Sequence, residues 1–109
     1  MGVLRATLGA GWLLGTIAAG PAIAAEGGDV AAGKAKAGLC AACHGPKGIS
    51  VNPLWPSLAG QQRAYLAASI RAFRDGVRVE ATMQPFVQNL TEQDVEDLAA
   101  FYASLSPCP

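Results

Sequence analysis

The sequence predicts an all-α fold in which helices enclose a five-residue motif. Apolar residues recur at helical spacings of three and four near residues 61–75 and 91–105, and an Ala- and Lys-rich stretch precedes the motif. No run alternating between apolar and polar residues lies between them, so no strand is expected. The motif itself is Cys40-Ala41-Ala42-Cys43-His44, and it gives the helices something to wrap.

C-x-x-C-H is the attachment motif of a c-type haem. Two thiols three positions apart, on one turn of helix, reach the two vinyl groups of one porphyrin. The imidazole after the second thiol then falls beneath the iron. His44 is the only histidine in the 109 residues, so no other imidazole competes. A covalent tether also keeps the cofactor from dissociating outside the cell. Three other readings use the same residues. Cys40 and Cys43 could pair as a disulfide. A thioredoxin-like redox pair needs a βαβ pattern, which is missing here. A zinc site needs four ligands; Cys40, Cys43, His44 and Cys108 would have to supply them, and adjacent Cys43 and His44 are poorly placed to bind one metal. Haem attachment is favoured because the surrounding sequence agrees with it.

That agreement begins with the first 25 residues. Met1 to Arg5 carries one positive charge, and Ala6 to Gly20 is uncharged and rich in Ala, Leu and Gly. Gly20-Pro21 breaks any helix, and Ala22-Ile23-Ala24 fits the small-x-small cleavage rule. We expect a signal peptide over 1–24 and a mature domain over 25–109, located in the periplasm. The uncharged run Ala6–Ala25 is also just long enough to span a bilayer, so an uncleaved anchor is the alternative. Removing 24 of 109 residues leaves 85, one small domain with a limited core. A buried haem would supply much of that core. Residues 25–109 hold seven Lys and Arg against eight Asp and Glu, a net charge of −1. No basic surplus favours nucleic acid. With Cys40 and Cys43 on haem, Cys108 is left over, either a harmless thiol near the end or an intermolecular contact.

Taken in order, Glu26 to Gly28 is a lead-in and Asp29 an N-cap. A helix is expected from Val30 to Leu39, delivering Cys40 and Cys43 at its end. Gly33 lies within it, where Gly costs about 1 kcal/mol relative to Ala; either another helix approaches closely there or the residue is simply tolerated. Gly45 to Gly60 is a loop punctuated by Gly, Pro and Asn. Its apolar Ile49, Val51, Leu54, Trp55 and Leu58 are expected to cover a haem face. Gln61 to Asp75 reads as a helix with Leu66, Ile70 and Phe73 inward and Gly76 at C′. Arg63, Arg71, Arg74 and Arg78 read as a solvated face, with a docking patch for an acidic partner as the alternative. Val77 to Asn89 is expected to be irregular. Thr91 opens the last helix with Thr91-x-x-Asp94 as a capping box and Leu90 with Val95 as a hydrophobic staple. Glu92, Asp94, Glu96 and Asp97 suit the positive end of its dipole. Val95, Leu98, Phe101, Tyr102 and Leu105 form its buried stripe, and Pro107 ends it.

Haem iron takes a second axial ligand. Met83 is the one methionine besides Met1, and it lies 39 residues after His44 in a loop that Pro85 stiffens. A thioether opposite histidine suits electron transfer and raises the reduction potential. Lys34, Lys36, Lys47, Cys108 or an open position are the alternatives.

These residues resemble a small class I cytochrome c, of the bacterial periplasmic monohaem type or one half of a di-haem form. The resemblance runs from Gly28 to Leu105. It rests on Gly28-Asp29-Val30, Gly33, Cys40-x-x-Cys43-His44-Gly45-x-x-Gly48-x-Ser50, Pro53, and Pro56-x-Leu58-Ala59-Gly60-Gln61. Tyr65-Leu66, Phe73-Arg74-x-Gly76-x-Arg78, Met83 and Leu98-Ala99-Ala100-Phe101-Tyr102 complete it. It implies an all-α fold around one haem c with iron. It implies that Gly33 meets the C-terminal helix near Leu98 and Phe101. It also implies that the Pro56 carbonyl accepts from Nδ1 of His44, with Pro53 as the rival. Cys108 falls past the family's usual end. The expected function is a soluble respiratory electron carrier that performs no bond chemistry. It would exchange electrons with membrane or periplasmic redox proteins through the haem edge. A haem subunit bound in a dehydrogenase or sulfur-oxidising complex, and a haem enzyme or gas sensor, are the alternatives.

Overall fold

The computed structural model describes residues 2–3, 8–18, 20 and 27–108. The expected cleavage point after Ala24 lies outside them. Residues 8–18 form no helix, and Trp12, Leu13, Leu14 and Ile17 stay exposed. No helix of the described residues is long and apolar enough to cross a membrane.

Five helices and no strand are formed by the described residues. The first, α1 (Val30–Lys36), starts at Asp29, whose carboxylate accepts from the Ala32 N–H at 2.7 Å. The sequence predicted one helix from Val30 to Leu39, but the structure breaks it at Ala37. There the N–H is shared between the Gly33 and Lys34 carbonyls and ψ falls to −5°. Gly38 then opens α2 (Gly38–His44), so both motif cysteines and His44 sit on a helix of their own. Gly45 ends it at φ 84°, where a Cβ would stand 2.0 Å from the Ile49 carbonyl oxygen; only glycine fits.

Helix α3 (Arg63–Arg74) begins two residues later than expected because Gln62 remains extended. Gly76, at φ 73°, turns the chain so that the Arg78 N–H returns to the Ala72 carbonyl at 2.9 Å. The stretch from Val77 to Asn89 is not wholly irregular, since it holds a single turn, α4 (Gln84–Val87). Pro85 sits in that first turn, where an N–H has no intrahelical acceptor to lose. Helix α5 (Glu92–Ser104) opens with both halves of the expected capping box. Thr91 Oγ1 accepts from the Asp94 N–H at 3.1 Å, and Asp94 Oδ2 accepts from the Thr91 N–H at 2.9 Å.

The core forms where α5 meets α1 and α3. Ala37, Leu66, Ala67, Val95, Leu98, Ala99, Phe101 and Tyr102 are buried together, with Leu58, Ile70, Leu90 and Leu105 packed at the edge. At Gly33 the backbones of α1 and α5 touch. An added Cβ would lie 2.0 Å from the Asp97 carbonyl oxygen and 2.7 Å from Phe101 Cβ.

Ion pairs lock the same elements. Buried Asp97 accepts from the Asp29 N–H at 2.8 Å, from Lys36 Nζ at 2.6 Å and from Gln93 Nε2 at 2.9 Å. Lys36 also reaches Asp94 at 2.8 Å. Lys36 first, and then the Asp29 N–H, hold the Asp97 carboxyl down at about 2. The arginines do lie on a partly solvated face, but three of the four are also ion-paired. Arg63 pairs with Glu96, Arg71 with Glu92 and Glu96, and Arg74 with Asp75 and Glu92, because α5 brings its acidic first turns against α3. The Arg78 guanidinium lies over the Phe73 ring at 4.5 Å.

Candidate haem site

Helix α2 presents Cys40, Cys43 and His44 to a cavity of about 750 Å³. The loop after it adds Leu54, Trp55 and Leu58, α3 adds Leu66, Ile70 and Phe73, and α5 adds Leu98 and Tyr102. Val79, Met83 and Phe86 come from residues 77–90. The loop's apolar residues divide. Val51, expected to cover the cofactor, is fully exposed, and Ile49 is also off the cavity wall. The bend that aims the Pro56 carbonyl at His44 leaves Val51 outward.

That bend is held by polar contacts. The Leu58 and Ala59 N–H groups both donate to the Gly48 carbonyl, at 2.7 and 2.9 Å. The Ser50 N–H donates to Ser57 Oγ at 2.9 Å, and Ser50 Oγ lies within reach of the Cys43 carbonyl at 3.2 Å. His44 is 7% exposed. Its Nδ1 stands 2.7 Å from the Pro56 carbonyl oxygen; Pro56, not its rival Pro53, is the partner. With Nδ1–H donating there, the Nε2 lone pair is left for a metal, and the ring is fixed in orientation.

Cys40 and Cys43 are free thiols, so no disulfide joins them. Burial pushes the Cys40 thiol up. The zinc reading fails for lack of convergence: among the described residues no three His, Cys, Asp or Glu are placed to hold a metal ion together, and Cys108 is exposed and off the cavity wall. Met83 is half-buried on the same wall set as His44. Of the rival ligands, Lys34 and Lys47 do not line the cavity. Lys36 does, but its ammonium is engaged by Asp94 and Asp97. Two unpaired thiols, an imidazole with one nitrogen available and a thioether, all in an apolar cleft, are a donor set that fits haem c.

One group on the wall escaped the sequence reading. Tyr102 is 2% exposed, and its hydroxyl has no hydrogen-bond partner among the described residues. The available signal was its identity: a buried Tyr in place of Phe carries a polar tip that needs a destination.

Comparison with known proteins agrees with this geometry. A family profile described as Cytochrome c matches residues 30–106. Cytochrome c-554(548) of Halomonas halodenitrificans is 48% identical over 80 residues, 71% of this chain and 96% of the relative. The thiosulfate dehydrogenase electron acceptor of Thiomonas intermedia is 40% identical over 79 residues, 71% of this chain and 36% of the relative. The crystal structure of reduced recombinant cytochrome c4 from Pseudomonas stutzeri superposes with a TM-score of 0.70 at 35% identity, over 72% of this chain and 46% of that one. The chain thus spans nearly all of the first relative and less than half of the other two.

Proposed function

The chain belongs to the cytochrome c family, and on that premise we propose that it is a periplasmic single-electron carrier whose haem iron is held by His44 and Met83. The family's cofactor is haem c with its iron, and its work is electron transfer. The observation that carries the finer reading is that Met83 and an oriented His44 line one cavity.

When bound, the haem supplies reversible one-electron chemistry at iron. The chain's residues do the rest. Cys40 and Cys43 would tether the group as thioethers. His44 would hold the iron through Nε2, made more basic by the Pro56 contact at Nδ1. Met83 would supply the second ligand, a thioether that favours the reduced state. Leu66, Ile70, Phe73 and Leu98 keep water from the site. Leu39 and Leu54 stand exposed at its rim, where redox proteins exchange electrons with the carrier. No bond chemistry is assigned to the chain. Residues 1–24 direct export and are removed, and N-terminal sequencing of periplasmic protein is expected to begin within a residue or two of Ala25. Recovery of a membrane-bound form that retains Met1 would show an anchor instead.

Met83→Ala tests the central assignment. The oxidised wild type should display the weak near-infrared band of a sulfur–iron bond. The variant should lose that band, bind carbon monoxide when reduced, and have a lower reduction potential. Met83→His should keep six ligands yet also lower the potential. An unchanged spectrum and potential in Met83→Ala would make the residue core filler and remove the reading's support.

A second reading has one observation in its favour. A relative named as the electron acceptor of thiosulfate dehydrogenase supports a dehydrogenase as the electron donor, met either in passing or as a bound complex. Purification as a stable heteromer, lost in Cys108→Ser, would favour the bound form.

A further inference from the structure

We infer that the Tyr102 hydroxyl is a positioning group for the Cys40 arm of the haem, donating a hydrogen bond to the Cys40 sulfur once that sulfur is a thioether. The inference rests on the reading of Cys40 as an attachment residue.

Tyr102 is buried among apolar side chains, and its hydroxyl has no hydrogen-bond partner among the described residues. Leaving a buried hydroxyl unpaired is costly, and Phe would fill the same volume without that penalty. Phe101, next in the chain and 5.0 Å away between ring centroids, does fill such a place. Cys40 packs against the same core and lines the same cavity as Tyr102. The two groups are close enough to perturb one another: Tyr102 tends to draw the Cys40 thiol down against its burial, and Cys40 adds to the burial that raises the Tyr102 phenol.

The hydroxyl cannot easily turn elsewhere. The Tyr102 ring lies against Gly48, where a Cβ would come within 3.1 Å of Cδ1. The Tyr102 carbonyl accepts from the Gly60 N–H at 3.0 Å, which ties α5 to the end of the loop. Attachment also settles who donates. A free thiol carries a proton and can donate or accept. A thioether sulfur has none and only accepts, so the phenol becomes the donor. Holding that sulfur would fix one edge of the porphyrin relative to α5.

The test uses mature, haem-loaded protein and Tyr102→Phe, which keeps the packing volume. The variant should unfold at a lower temperature than wild type, and the thioether carbon–sulfur stretching band in its resonance Raman spectrum should shift. In a Cys40→Ala background, attached through Cys43 alone, the same substitution should leave the band unmoved and no longer lower the unfolding temperature. If Cys40→Ala does not mature, exchange into D2O replaces it: the carbon–sulfur band should move with the isotope in wild type and stay fixed in Tyr102→Phe. A Tyr102→Phe protein that is more stable than wild type with an unaltered band overturns the inference, as does a wild-type band insensitive to D2O. Haem that extracts from wild type into acidified solvent would instead overturn the attachment reading, so the two failures are distinguishable.

Discussion

A methyl group at Gly33 would stand 2.0 Å from a backbone oxygen of α5, an atom that no side-chain rotation can move. Helix propensity alone favours Ala there by about 1 kcal/mol. Overpacking opposes it by about 1–3 kcal/mol or more, so Gly33→Ala should lower stability, as measured by urea unfolding of the haem-loaded protein. A rise would mean that α1 and α5 slide apart freely. Helix propensity and pattern left Gly33 undecided between close approach and tolerance, because the atom that decides belongs to residue 97; the resemblance alone pointed to α5, and the contact is there. The attachment motif was legible for the opposite reason, since five consecutive residues carry its chemistry. His44's partner lies 12 positions away in a loop with two candidate prolines; the resemblance favoured Pro56, and the folded bend puts its carbonyl there. Tyr102 was legible as core but not as a polar group without a partner, since its neighbour Cys40 arrives from the far end of the domain.

The helices were read well where they are long. Helix α3 was found with Gly76 just past its end and α5 with its N-terminal capping box, while the start of α3 and the end of α5 shifted by two residues and the one turn of α4 is too short for periodicity to register. The break between α1 and α2 went unseen because Ala37-Gly38 is weaker punctuation than a Pro would be. What joins α1 to α5 was hidden as well. Asp97 was assigned to the helix dipole, yet it takes an N–H and an ammonium from a segment more than 60 residues earlier. Its carboxyl is held at about 2, below its ordinary 3.8. A lowered folded-state value means that stability is present above the unfolded value and lost as pH falls through the folded one. The α1–α5 contact should therefore weaken between pH 4 and 2, seen as a falling thermal midpoint. Asp97→Asn should flatten that acid limb and lower stability at pH 7 by about 1–3 kcal/mol, through loss of charge-assisted hydrogen bonds. An acid limb unchanged in Asp97→Asn would assign it to other groups.

At the scale of the whole molecule, a cavity of about 750 Å³ is large for so small a domain. The all-α class was legible from periodicity, but the share of the core left to the cofactor was not, because that share is a volume and the sequence shows only which residues are apolar. Cys40→Ala/Cys43→Ala protein made without haem should lose cooperative thermal unfolding and near-ultraviolet dichroism, since a group that binds only the native state is gone. A sharp calorimetric transition in that protein would show a core sufficient on its own. The arginine pairs of α3 reach further still, to how the molecule meets others in solution. Arg63, Arg71 and Arg74 direct their guanidinium groups at carboxylates of the same chain, and the fields of α3 and α5 largely cancel. At about 8 Å, the screening length of physiological salt, an approaching protein feels little pull from that side. Its collisions there are guided by diffusion and by the fit of apolar rims. Stopped-flow electron exchange should then slow by less than about threefold over a tenfold rise in ionic strength, where strongly steered encounters fall steeply.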